Sequence, residues 1–189
     1  MSSSANKKAA AGRTAERTAG KKTARRASLG ADTFFMRYAY PCSQNLVMLD
    51  LVPKKEYDLF EKMFQEGKPL PRAFVERIFH AAFRRIKEVA RDMGIKDHWD
   101  IRVLRRYWHE FHNKYIDAGD GNYGRQPKTF CELCKVYTAK IADKKDRVFV
   151  VTYTHEGKLQ ARTVVSDQLP QADIGDTIRI HSGYAIEFA

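Results

Sequence analysis

The sequence predicts an α+β chain: a disordered basic N-terminal tail, a small three-helix domain, and a small five-stranded OB-like β-barrel. Three observations carry this. Between residues 54 and 116, apolar residues recur at three- and four-residue steps, the period of helices that bury one stripe. After Cys134 the pattern changes to alternation, the period of strands with one buried face. Residues 1–30 hold Leu29 as their only bulky apolar side chain beyond the initiator, too little burial to offset chain entropy.

The tail carries four Lys and four Arg against Glu16, which makes it +7 of the formal +11. Lys7, Lys8, Arg13, Arg17, Lys21, Lys22, Arg25 and Arg26 are candidate phosphate contacts for nucleic acid, with affinity that would fall steeply with salt. A solubilising extension or a transit peptide fits the same composition. Residues 33–40 are aromatic-rich and end at Pro41, and the apolar run at 46–52 reads as a strand or a buried turn.

Pro53 opens a helix over 54–65, with Tyr57, Phe60, Met63 and Phe64 on one side; Gly67 and Pro69 close it. Pro71 starts the strongest helix, to about Met93, along the stripe Val75, Ile78, Phe79, Ala82, Ile86, Val89, Ala90 and Met93; Gly94 ends it. A third helix over 100–116 has the stripe Ile101, Leu104, Trp108, Phe111 and Tyr115, opposite Arg102, Arg105, Arg106 and Lys114. Gly119, Gly121 and Gly124 then mark a loop or linker, and Pro127 confirms the break. The expected organisation is tail 1–30, helical domain 31–118, linker 119–129 and barrel 130–189.

In the barrel, strands are expected over 147–154 and 158–166, then Leu169-Pro170, a Gly175-Asp176 turn and a last strand pair. Alternation puts Thr177, Arg179 and His181 on one face and Ile178 and Ile180 on the other, so the His181 imidazole is displayed away from the isoleucine face. Phe149, Tyr153 and Tyr184 form either core or a stacking platform for single-stranded nucleic acid.

Cys131 and Cys134 form a C-x-x-C pair, and His109 and His112 stand three apart on the third helix. Two thiolates and two imidazoles suit tetrahedral zinc, as in a zinc-stabilised structural subunit of a larger assembly. The plainer alternative makes the histidines helix-surface residues and Cys131 a small packed hydrophobe. No phosphate loop, Ser-His-Asp set or glycosidase-like carboxylate pair appears, so turnover chemistry is not expected. There is no run of eighteen apolar residues and no apolar leader, and three cysteines make a disulfide framework unexpected. Reduced thiols in a cytoplasm are the expectation.

The order of features from Cys134 to Ala189 resembles the HypC/HupF family of hydrogenase maturation chaperones. The carrying residues are Cys134, Lys140-Ile141 six residues on, Leu169-Pro170, Ile174-Gly175-Asp176 and Ile180-His181-Ser182-Gly183-Tyr184-Ala185-Ile186. The family's cysteine follows the initiator methionine, whereas Cys134 is internal, and Thr138 stands where the family has proline. The resemblance implies that Cys134 and His181 handle a transient iron centre, and that the partners are an iron-sulfur maturase scaffold and a hydrogenase large-subunit precursor. Phe35-Met-Arg-Tyr-Ala-Tyr-Pro41, Gly94-Ile-Lys-Asp97, and Asp100-Ile-Arg-Val-Leu104 with Tyr107-Trp108 are similar to an uncharacterised helical family of hydrogenase gene clusters. If the thiol and imidazole share a site, both must lie on one rim of the barrel.

Overall fold

The computed structural model describes residues 29–189. The aromatic run forms helix α1 (Ala31–Ala39), and Pro41 tightens the chain into one 3-10 turn (Tyr40–Cys42). The apolar run at 46–52 is neither a strand nor wholly a turn: it begins inside a short helix α2 (Gln44–Met48). Helix α3 spans Lys54–Gln65, as its capping residues indicate.

Two of the expected helices are interrupted. The 71–93 stretch is α4 (Arg72–Ile78) and α5 (His80–Asp92), because Phe79 leaves helical conformation at φ −102° and ψ 38°. Its ring packs edge-on against Phe35 and Phe60, at centroid distances of 5.5 and 5.4 Å, so the apolar stripe runs through the break. The 100–116 stretch starts at Asp100, whose carboxylate accepts the Arg102 N–H as a cap, and runs as α6 (Ile101–Arg106). It then widens into a π-turn (Tyr107–Phe111) before resuming as α7 (His112–Asp117). A π-turn inserts one residue, roughly 100° of rotation, which re-aims the side chains around it.

Residues 119–127 are a packed loop that contains one 3-10 turn (Tyr123–Arg125). The Gly119 carbonyl accepts the Gly124 N–H at 3.1 Å, and a Cβ at position 124 would stand 2.9 Å from that oxygen. Buried Arg85 reaches into the loop, bonding Asp120 through Nε (2.5 Å to Oδ2) and Nη2 (3.0 Å to the carbonyl) beneath Tyr115 and Tyr123. Helix α8 (Lys128–Cys134) then occupies the residues expected to begin the barrel.

Strands β1 (Tyr137–Lys145), β2 (Val148–His155), β3 (Lys158–Val165), β4 (Thr177–His181) and β5 (Tyr184–Phe188) close in the order β1-β2-β3-β5-β4. Neighbours are antiparallel except β3 and β5, which touch in parallel at Val165 and Tyr184. This is a small OB-like barrel. Its interior holds Ile141, Phe149, Val151, Tyr153, Val164, Ile178, Ile180 and Ala185.

A register shift between β4 and β5 joins barrel to helices. Ile180 opposes Ala185 but Arg179 opposes Glu187, so β5 carries one extra residue. Ala185 therefore faces the barrel core while Ile186 is buried with the helical core and Glu187 bonds to α1. Among the described residues, no helix is long and apolar enough to cross a membrane.

Candidate functional site

His181 ends β4, and Ser182 and Gly183, with φ of 45° and 77°, make the two-residue turn into β5. Alternation does turn the imidazole away from the Ile178 and Ile180 face. The expectation that it is displayed is corrected, however, because the helices cover this face and His181 is 0% exposed. Its ring lies 5.2 Å from that of His112, 5.3 Å from Trp108 and 6.3 Å from Tyr38, centroid to centroid. Burial lowers its pKa to about 4, against a weaker opposing pull from backbone groups of Tyr38 and Cys134. Neither ring nitrogen makes a well-formed hydrogen bond, and the buried Trp108 Nε1 is likewise unpartnered.

Cys134 ends α8 at the same rim. The Ser182 amide donates to the Leu133 carbonyl at 3.2 Å, which pins the turn after His181 to the last residues of that helix. Burial raises the Cys134 thiol to about 11, and a hydrogen bond with the Ser182 side chain opposes the rise. Asn45 Nδ2 stands 3.9 Å from its sulfur.

A polar network holds α8 in place. Glu132 accepts from Lys135 Nζ at 2.8 Å and from the Tyr137 hydroxyl, and pairs with His155 Nε2 at 2.9 Å. Lys135 also reaches Asp117, at 2.7 Å. Asn113 binds the backbone of Val136 twice, as acceptor and donor, at 2.8 Å each, which ties the helix bearing His112 to the chain just past Cys134.

The structure thus brings Cys134, His112 and His181 together and leaves His109 and Cys131 apart. The π-turn separates the two helix histidines. His112 is buried beneath Trp108, where burial first and His181 second hold its pKa well below the usual imidazole value. His109 instead pairs with Glu187 at 2.7 Å, and the Tyr38 hydroxyl joins both, 2.6 Å from Glu187 and 3.1 Å from His109 Nε2. Burial pulls the Glu187 carboxyl up, but the bonds from His109 and Tyr38 outweigh it and the net shift is downward. Cys131 Sγ points at the Tyr123 carbonyl, 3.6 Å away. Among the described residues, no three His, Cys, Asp or Glu side chains form a group able to hold a metal ion.

Beside the thiol lies a cavity of about 110 Å³, lined by apolar side chains such as Leu46, Leu49 and Phe130, by the amides Asn45, Asn122 and Gln126, and by Cys42, Arg85, Tyr107, His112 and Cys134. Sequence reasoning missed Cys42, which faces Cys134 from the helical half. No local motif marks it, because its partner lies in the barrel half of the chain. Burial raises the Cys42 thiol, and the neighbouring Cys134 adds to the rise.

The nucleic-acid expectation loses its platform. Phe149 and Tyr153 are barrel core, and Tyr184 packs against the helical core. On the α6 face, Arg102 pairs with Asp100 and Arg106 with Glu110. The tail cations Lys7, Lys8, Arg13, Arg17, Lys21, Lys22, Arg25 and Arg26 lie outside the described residues. No protein-family model, no curated protein and no solved structure matches this chain.

Proposed function

We propose that this chain is an accessory protein of metallocentre assembly, a carrier without turnover chemistry that holds an iron centre as cargo between Cys134 and His181. One observation carries the reading: two residues distant in sequence meet at one rim of the barrel, and the imidazole among them is buried with neither nitrogen in a well-formed hydrogen bond, only backbone groups of Tyr38 and Cys134 standing near it. An unpaired buried imidazole costs stability, and a fold with no use for it would do better with an apolar residue there. Thiolate and imidazole together suit low-valent iron. Both groups are sealed, so cargo exchange requires the helices and the barrel to part at this rim. The partners that fit are an iron-sulfur scaffold that loads the carrier and a hydrogenase large-subunit precursor that unloads it.

The test is anaerobic purification of the full chain from cells making its client, with iron measured per chain, for wild type, Cys134→Ala and His181→Ala. Iron in the wild type, loss of it in both variants and loss of client activation support the proposal. Undiminished client activation by either variant overturns it.

A further inference from the structure

We propose that Cys42 and Cys134 form a two-thiol site for a soft, thiophilic metal ion such as Cu(I), in the cavity enclosed by the turn after α1, α2, α5, the π-turn and α8. The proposal builds on the Cys134 site above but adds a ligand from the other half of the chain. Both cysteines are free and both line the same cavity. Asn45, three residues beyond Cys42, reaches Cys134 Sγ at 3.9 Å, so the turn that carries Cys42 lies directly on the end of α8.

The surroundings select the ion. A hard cation is best held by several oxygens, carboxylates above all; the described residues lining this cavity include no Asp or Glu, their oxygens being those of amides and tyrosines, and they offer two thiols and the His112 imidazole. Soft ions accept thiolate and imidazole, and Cu(I) is stable with two sulfurs. On binding, each thiol releases its proton to solvent as its sulfur bonds the metal, with no change of oxidation state. Two thiolates and one monovalent cation leave a single negative charge; Arg85 lines the same cavity, its guanidinium shared with Asp120. Cys131 is the local rival, three residues before Cys134 on the same helix, with its thiol turned to the Tyr123 carbonyl at 3.6 Å; it is not among the residues that line this cavity, whereas Cys42, its thiol on the Ala39 carbonyl at 3.4 Å, is.

The experiment titrates the reduced full chain with Cu(I) delivered from a chromophoric chelator, for wild type, Cys42→Ser, Cys131→Ser and Cys134→Ser. One ion per chain is expected. Loss of a direct ligand should weaken binding by at least the roughly 10–100-fold seen for outer partners of a metal site. Cys42→Ser and Cys134→Ser should both show it, and Cys131→Ser should stay close to wild type. Should either serine variant misfold, mass spectrometry of the wild type after reaction with a trivalent arsenical gives the second reading: one arsenic bridging peptides that contain Cys42 and Cys134. Loss of binding in Cys131→Ser with none in Cys42→Ser, or an arsenical bridge within the C-x-x-C pair, overturns the proposal, as does absence of binding. Cu(I) held by this pair in a protein whose His181→Ala variant still activates its client leaves the thiol site standing and removes the assembly reading alone.

Discussion

Two polar clusters sit side by side where α1, the π-turn and the β4–β5 hairpin meet, and they are built on opposite principles. In one, Tyr38, His109 and Glu187 satisfy each other at 2.6–3.1 Å, with Arg37 bonding the Ile186 carbonyl alongside at 3.3 Å. In the other, the buried nitrogens of His181 and Trp108 make no well-formed hydrogen bond beside His112. Folding rewards the first and is taxed by the second, at about 1–3 kcal/mol for each orphaned group. A satisfied cluster that clamps the rim next to an unsatisfied one is the arrangement expected of a site held open to chemistry by its neighbours.

Acid should separate the clusters most strongly. His181 titrates near 4 in the fold and near 6.5 when unfolded. Above pH 6.5 neither state binds the proton, and between 6.5 and 4 only the unfolded chain does. Stability should therefore fall across that window by about 3 kcal/mol from this group alone, with buried His112 adding in the same direction. Glu187, lowered in the fold, keeps its contribution until pH drops below its ordinary 4.5. Urea midpoints taken each half pH unit from 7.5 to 3.5 should show the loss beginning well before carboxylates titrate. A flat profile to pH 5 would break the contrast.

Next in size is Glu187→Ala, which leaves the wholly buried Tyr38 hydroxyl with His109 as its remaining partner. It should cost about 2 kcal/mol in chemical denaturation. Tyr38→Phe removes one hydroxyl and keeps the stacked ring on Trp108, 4.9 Å away, so about 1 kcal/mol is expected. If the two losses came out equal, the carboxylate would owe its place to Tyr38 alone, and His109 would have no share in the clamp.

Legibility in the sequence followed the range of the interaction. The α3 bounds, the barrel strands and the outward turn of His181 are set by neighbours a few residues away, through proline starts, alternation and glycine turns. The break at Phe79 and the π-turn at 107–111 leave no such mark, because a stripe spaced by threes and fours survives one residue gained or lost to packing. The burial of His181 depends on Ile186 crossing to the helical core through a bulge, which no alternation pattern contains. Cys131 drew notice from its spacing, whereas Cys42 comes to line one cavity with Cys134 only once α8 has packed against the helices.

The smallest effect is the most telling. In His181→Leu the apolar side chain fills most of the space of an imidazole that makes no well-formed hydrogen bond, so little bonding to the Tyr38 and Cys134 backbone is lost and the desolvation penalty disappears. The thermal midpoint at pH 7.5 should hold or rise, by up to about 1 kcal/mol in stability, and the loss between pH 6.5 and 4 should become shallower by the share of one histidine. A residue whose removal strengthens the fold is retained for something other than folding. A drop of about 2 kcal/mol instead would place His181 in the same class as Glu187, a structural group with partners of its own, and the contrast between the two clusters would collapse along with the case for cargo at this rim.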